Sequence, residues 1–600
     1  MKKSICIILI ILLLSSLSSC INNNEVNTST TPSLDASPSL VTDSYASLLP
    51  THSTSVDRSI KYDTEGNLDY QAMWPEKKML VWLYFDYFGI LQYINNLDNS
   101  NPKPFSEFYT SIVSDELIVA YNDYLISLGK DYVIRFIRQD AIVDKIAEDY
   151  KALGDDNNAK QYFKFTEIYA YYFEFMKDMK NSGIQADIIS SIANIKGTFS
   201  IEENDVTVQV NYTAIEESGA DEINNDLLLD ITDFLLDDED KKLYGLFPDE
   251  YWSLFDKYNG IYGVYNNEIA SSFIFYLRND IINKYEVNIS ELDTIDEIDV
   301  FFDEIFDDYK TEITSSDLML IRKFLDYSAY NELAGITTDK SNSTISYKYD
   351  ADNNPAVINR FKDADYLQIN KILAKWAARG YFNTSIVYNT DGSASASIAF
   401  APYISYIVPG YQDYSNDSSD DIQYIPVEIS RYILHDSRNK LIGIASWTKN
   451  GESAFDFLST LFTDPHLSNL IYYGKNYKCE NGLVKQNGNY STSVLTASHM
   501  LYPNRVGEKR ISDFKDAMSD AYIPPNYGFE PDITKMEYEF EEISRLCKEA
   551  DSLWATHSDN FLSELENVIT QLDALGYSRF LQDINKQLGQ YIESKPRDKD

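Results

Sequence analysis

Histidine and cysteine are scarce in this chain. Five histidines occur in 600 residues, His52, His435, His466, His499 and His557. No two stand at i, i+4, and neither H-E-x-x-H nor C-x-x-C is present, so the familiar zinc patterns are missing. G-x-S-x-G, G-x-G-x-x-G and G-x-x-x-x-G-K-[ST] are absent too. That removes the motif-based case for a nucleophile elbow, a dinucleotide site or a P-loop. Asp350–Asn354, "DADNN", opens like a calcium loop, but Pro355 stands where its glycine belongs and Phe361 where its glutamate belongs. Basic residues are few, 51 Lys and Arg against 94 Asp and Glu, a formal charge of −43. Such a surface repels phosphate backbones and anionic headgroups, so no nucleic-acid partner is expected. No catalytic residue, cofactor or metal site stands out, and the chain reads as a non-enzyme. A secreted glycoside hydrolase is the alternative, because two suitably spaced carboxylates are all that chemistry requires.

A long apolar run is also missing beyond the start of the chain. Lys2 and Lys3 precede an apolar stretch from Ile5 to Leu14, too short to span a bilayer comfortably. "LSSC", Leu17–Cys20, follows and resembles the lipobox of bacterial lipoproteins. The resemblance implies removal of residues 1–19 and a diacylglycerol on Cys20. A plain secretory signal that happens to contain cysteine is the alternative. Each buried acyl CH₂ contributes about 0.8 kcal/mol, so two or three chains anchor the protein without a transmembrane helix. Ser, Thr, Asn and Pro dominate the residues after Cys20, which cannot bury enough apolar surface to order themselves. Residues 20–75 are therefore expected to be a lipidated tether. The place implied is the outer face of a bacterial cell membrane.

What remains is too long for one comfortable core and predicts more than one lobe. Cys479 and Cys547 are the pair left after the leader, either one disulfide or two buried thiols. "MLVWLYF" (79–85), "YVIRFI" (132–137) and "ADIISS" (186–191) read as buried strands. Between them, apolar residues 117, 118, 121, 125 and 128 share one helical face that Gly129 closes, and 162–183 reads as a helix ending at Gly183. Strand and helix in alternation predict an α/β unit with a mainly parallel sheet. "FIFYLRNDIINKYEV" (273–287) reads as a strand entering a helix. Amphipathic helices are expected at 294–310, at 365–383 with Gly380 as the stop, and at 452–474 with a break at Asp464–Pro465. More helices follow near the end, two of them separated by Gly576.

Ligands of open α/β sheets sit beyond the carboxyl ends of the strands, here Tyr84–Asp86 and Ser190. A second candidate is "LFPDEYWSLFDKYNGIYGVYNN" (246–267), with Trp252, Tyr262 and Tyr265 crowding Gly260 and Gly263. Flat rings stack on the C–H face of a sugar, and glycines absorb dihedral change. Trp447, after the strand "LIGIAS", is a third. In a chain with 47 tyrosines, ordinary core packing is the competing account of each ring. Strand alternation is expected to turn one of Trp82 and Tyr84 into the core. The candidate ligand contacts are thus Trp82, Tyr84, Asp86, Ser190, Trp252, Tyr262, Tyr265 and Trp447.

Several segments in order resemble extracellular solute-binding protein family 1. They are "YNDYLISLGKDYVIRF", "SGIQADIISS", the 246–267 stretch, "FIFYLRNDIINKYEV", "WAARGYFN" and "IASWTKNGESAFDFLSTLFTDPHLSNLIYYG". The last has an S/T-K-N helix cap, an A-x-x-F-L helix, a D-P break and an N-L-x-x-Y-G end. "GYSRFLQDINKQLGQYIES" is similar to the helical tail of the LipO-like branch. The insert "GTFSIEENDVTVQVNY" and residues 385–440 depart from the pattern. The resemblance implies a two-lobed periplasmic-binding-protein fold, type II-like, over residues 76–525, with hinge and interlobe cleft. A C-terminal helical extension takes 526–600. It further implies a monomer that binds a solute, an oligosaccharide on the aromatic evidence, and delivers it to ABC permease subunits. "NGIYGVYN" is placed near the hinge, and a sensing or adhesion lipoprotein on the same fold is a further alternative.

Overall fold

The computed structural model describes residues 59–84, 87–98, 102, 113–138, 140–154, 159–160, 163–164, 168–192, 200–203, 206–209, 220–237, 242–265, 270–312, 319–321, 327–338, 344–381, 398–405, 424–428, 433–434, 440–480, 483–484, 495–497, 521–534 and 537–595. The leader, Cys20, Asp86 and most of the tether lie outside them. By its contacts the chain forms two units, one of residues 1–76 with 386–395, the other of 77–385 with 396–600. Within the first, Tyr62 bridges Leu68, and the Asp69 side chain caps a one-turn helix, Tyr70–Met73. The last part of the expected tether is therefore locally ordered.

The second unit holds two five-stranded sheets. The first runs in the order β2 (Tyr132–Arg138), β1 (Lys78–Tyr84), β3 (Ile188–Ile192), β15 (Lys440–Ile444), β6 (Gly263–Tyr265). β1 pairs in parallel with β2 and β3, whereas β15 runs antiparallel to both β3 and β6. β1 lies between β2 and β3, is apolar on both faces, and its last five residues are all buried. Helix α1 (Asp115–Ser127) precedes β2; Ser114 accepts from the Leu117 N–H at its start, and Gly129 with φ +82° ends it. Helix α2 (Ile168–Asn181) precedes β3 and buries Ile168, Tyr169, Tyr172, Met176 and Met179, an i, i+4 stripe. After β3 comes an antiparallel hairpin, β4 (Ser200–Glu203) with β5 (Val206–Gln209), where the sequence departs from the family pattern.

The second sheet is centred on β7 (Ala270–Arg278), which pairs antiparallel with β12 (Ile398–Ser405), β13 (Tyr424–Glu428) and β14 (Ile433–Leu434). β8 (Met319–Ile321) lies outside β12, in parallel. The chain thus passes from one sheet to the other in β6 to β7 and returns in β14 to β15. The strands that flank the two passages pair antiparallel, β6 with β15 and β7 with β14.

A three-stranded antiparallel sheet follows from β9 (Ile336–Thr338), β10 (Ser346–Tyr349) and β11 (Pro355–Ile358). "DADNN" is the turn between β10 and β11. Asp350 accepts from the Asp352 and Asn354 N–H groups at 2.9 and 2.8 Å, and Asn353 takes φ +63°. Its carboxylate serves the turn. Helices α3 (Ile295–Glu312) and α4 (Ala364–Ala378) meet through Trp376 and Phe302, ring centroids 5.0 Å apart. Helices α5 (Gly451–Thr463) and α6 (Pro465–Tyr473) break at Asp464, whose side chain caps α6. β16 (Cys479–Glu480) and β17 (Leu483–Val484) form a small hairpin.

Three final helices, α7 (Glu537–Thr556), α8 (Phe561–Ala574) and α9 (Tyr577–Ser594), share one apolar core with α3, α4 and the three-stranded sheet. Phe302, Ile336, Tyr347, Phe361, Leu373, Trp554, Leu572 and Ile584 all lie in it. Each buried Leu, Ile or Phe contributes about 1.5–3 kcal/mol. Cys547, in this core, is a free buried thiol. No described helix is long and apolar enough to cross a membrane.

Candidate functional site

The carboxyl ends of β1, β2 and β3 meet at one edge of the first sheet. Tyr84 is in register with Arg138 and with Ser190, and Lys440 with Ile192. Tyr265, at the end of β6, lies opposite Leu441 and joins the same edge. This edge brings together three of the candidate residues, Tyr84, Ser190 and Tyr265. Asp86 lies just past it, outside the described residues.

Below the edge the polar groups are tied together. The Trp82 indole N–H donates to Ser190 Oγ at 2.8 Å, and the Tyr172 hydroxyl donates to the Ser190 carbonyl at 3.2 Å. Tyr169 donates to the buried carboxylate of Glu222 at 2.7 Å. Burial, with the Glu222 charge behind it, pushes the Tyr172 phenol well above its ordinary range, so it stays a donor. Trp82 has no exposed surface at all, packed between Phe136 and Phe457 at 5.6 and 5.3 Å. Trp82 and Tyr84 stand two residues apart on a strand and so share a face. Alternation does not separate them, and both are buried.

The 246–265 stretch packs largely on itself. Tyr244 stacks on Trp252 at 5.5 Å, Phe247 on Tyr251 at 4.2 Å, and Phe255 on Tyr265 at 4.9 Å. Tyr251 donates to the Tyr265 carbonyl at 3.0 Å, and the Trp252 indole to the Tyr244 carbonyl at 3.2 Å. Trp252 and Tyr265 are buried. Burial raises the Tyr251 phenol strongly. The rings therefore buttress the end of β6, where the chain leaves for the second sheet. Gly263 has an ordinary φ, but a Cβ there would stand 2.5 Å from the Ile442 carbonyl oxygen. Close strand approach explains this glycine better than dihedral freedom does.

Tyr262 and Trp447 lie elsewhere. β15 runs against β3, so its end and the residues after it reach the amino end of β3. The Trp447 indole donates to the Ile184 carbonyl at 2.8 Å, ahead of β3. Tyr262 precedes β6 at that same end, half-buried near Asp230 and Asp226; burial and then those charges raise its phenol. Both rings are therefore at the edge opposite Tyr84 and Ser190. The "TKN" motif is also accounted for there. Asn450 makes no side-chain cap to α5; its amide donates to the buried Asp187 carboxylate at 3.1 Å, as does the Thr448 hydroxyl. Sequence reasoning passed over Asp187, although a lone acid opening an apolar strand was its signal.

Among the described residues, no group of three or more His, Cys, Asp or Glu side chains is placed to hold a metal ion. No family model matches the sequence, and no curated protein matches it. Among solved structures, the chain is similar to the N-glycan transport solute binding protein of Streptococcus pneumoniae. Identity is 17%, over 87% of this chain and all of that one, with a TM-score of 0.51. The fold is that of a solute-binding protein. A second similar structure is an HMO-binding, ABC-transporter-associated solute-binding protein of Bifidobacterium longum infantis. It is 13% identical over 87% of this chain and all of that one, with a TM-score of 0.47.

Proposed function

We propose that this chain is the lipid-anchored, extracellular substrate-binding component of an ABC importer, in the LipO-like branch, and that it takes up an oligosaccharide. The two five-stranded sheets are the cores of two lobes, and the solute lies between them at the carboxyl edge of the first sheet. The observation that carries this reading is the doubled passage between the sheets. The strands flanking both passages pair antiparallel, β6 with β15 and β7 with β14, and such a paired crossing is a hinge about which lobes rotate without unfolding. The likeness to a protein described as transporting N-glycans supports the solute class. Tyr84, Ser190 and Tyr265 give the edge its shape, and Asp86 just beyond is a candidate partner for sugar hydroxyls. Permease subunits are the partners, with Cys20 carrying the lipid.

A glycan-library thermal-shift screen tests this. A cognate glycan at 100 times its dissociation constant should add about 2.7 kcal/mol of stability. Absence of any stabilising glycan, or hydrolysis of a bound one, would sink the reading. In cells, Cys20→Ala should move the protein from the membrane fraction to the medium; retention on the membrane counts against the anchor.

A further inference from the structure

Four parts of the protein meet the segment Ala521–Glu530. The Leu434 N–H, at the end of β14, donates to the Tyr522 carbonyl at 2.8 Å. Tyr349, at the end of β10, meets the Tyr522 ring edge-on at 5.4 Å and donates to Asn526 Oδ1 at 2.7 Å. From α9, Tyr591 donates to the Tyr527 carbonyl at 2.7 Å, and just beyond that helix Lys595 donates to the same oxygen at 3.0 Å. Lys257 Nζ lies 2.6 Å from Glu530 Oε1. Gly528 sits at the junction with φ +81°. A Cβ there would stand 2.8 Å from the Tyr591 hydroxyl and 3.3 Å from Ser253 Oγ.

These contacts fall on the two sides of the doubled passage. Ser253 and Lys257 belong to the helical turns whose Tyr251 and Phe255 hold Tyr265, the end of β6. Leu434, Tyr349 and Tyr591 belong to the second sheet and its neighbours. The contacts to Tyr349 and Tyr591 are part-buried. The Lys257–Glu530 pair is not, with 38% and 48% of the two side chains exposed. Water can replace that pair at small cost, so it is the contact that opens first.

We propose that Ala521–Glu530 and the end of α9 form a bracket that restrains movement between the two lobes, with Lys257–Glu530 as its releasable contact. This rests on the two-lobe reading above, and it gives the C-terminal helices a part in setting how freely the lobes move. A ligand that binds one lobe arrangement must work against the bracket, so its strength enters the apparent affinity.

Spin labels at Leu128→Cys, just past α1, and Val300→Cys on α3, both exposed positions, report the distance between lobes. The background is the full chain with Cys6, Cys20 and Cys479 replaced by serine and the buried Cys547 kept. In the free protein, Lys257→Gln should raise a second distance population by up to about fivefold, the factor that a surface pair's upper contribution allows. Tyr591→Phe, which keeps the ring and loses the bond to Tyr527, should broaden the distribution as well. The charge swap Lys257→Glu with Glu530→Lys should restore the wild-type distribution. Unchanged distances in Lys257→Gln, or a swap that fails to restore them, overturn the bracket. Tyr591→Phe that lowers Tm without moving the distances shows packing alone and also overturns it. Because no glycan enters this measurement, the bracket can hold even if the thermal-shift screen finds none.

Discussion

Asp551→Ala should destabilise the protein by about 3–5 kcal/mol, the usual cost of leaving a buried charge without its partner. Arg360 is fully buried, and Asp551 lies 2.7 Å from its Nη2 and 3.1 Å from its Nε, a forked pair. Ser346 accepts from the other guanidinium nitrogen at 2.9 Å, and Tyr366 donates to the carboxylate at 3.2 Å. Burial alone would weaken the guanidinium's hold on its proton. The Asp551 charge beside it reverses that and raises it instead. The pair joins α7 to the turn before α4, in the core that α7–α9 share with α3, α4 and the three-stranded sheet. Removing Asp551 leaves a guanidinium in apolar surroundings with nothing to balance it. Replacing both partners, Arg360→Met with Asp551→Leu, should cost far less, because no orphaned charge remains. Cys547 gives a local readout. Burial, partly opposed by Arg360, pushes its thiol up to about 11, so it resists alkylation while the core is closed. Alkylation of Cys547, followed by mass spectrometry, should quicken strongly in Asp551→Ala and much less in the double variant. Equal labelling in all three would show that the pair does not hold this core together.

Most local structure was legible because its causes are local. The strand expected at 79–85 and found at Lys78–Tyr84, the helices closed by Gly129, Gly183, Gly380 and Gly474, and the break at Asp464–Pro465 all rest on period, capping and φ > 0. The candidate site was less legible because its placement is not local. Trp447 is near β3 in the sheet yet more than 250 residues away in sequence, and only the antiparallel sense of β15 puts it at the amino edge. Nothing in "LIGIAS" states that sense. Trp82 was a candidate because it stands near the carboxyl end of β1, but β1 lies between β2 and β3 and the ring is fully buried. The rings of 246–265 were legible as a cluster, while their role as support for β6 depends on which strand they meet. The tail 526–600 read as a helical extension, and three helices stand in it, the last two on either side of Gly576. That α7–α9 complete the core around Phe361 and Trp376 follows from contacts that span about 200 residues, which no local pattern encodes.

The other large effect is expected at Asp187. Its carboxylate is fully buried and takes four donors. These are the Val81 N–H at 2.8 Å, the Gln185 amide at 2.7 Å, the Asn450 amide at 3.1 Å and the Thr448 hydroxyl. Its backbone bonds Val81 on one side and Ala445 on the other. One residue thus fixes β1, β3 and the turn that leads from β15 into α5. A buried donor left without an acceptor costs about 1–3 kcal/mol, so Asp187→Ala should lose about 3 kcal/mol or more in urea unfolding. Asp187→Asn keeps the shape but turns one oxygen into a donor, facing groups that are themselves donors. It should be nearly as harmful, which separates loss of acceptors from loss of volume. A wild-type midpoint in Asp187→Asn would mean that water or a shifted side chain replaces the bonds, and the junction is then not held here. The partner side gives the stricter check. Thr448→Val alone should cost about 1–3 kcal/mol, since the acceptor stays buried and loses one bond. On the Asp187→Ala background the same change should cost clearly less, because the bond it removes is already gone. Full additivity of the two changes would show that Thr448 and Asp187 act independently, and that the "TKN" turn is held by something other than this carboxylate.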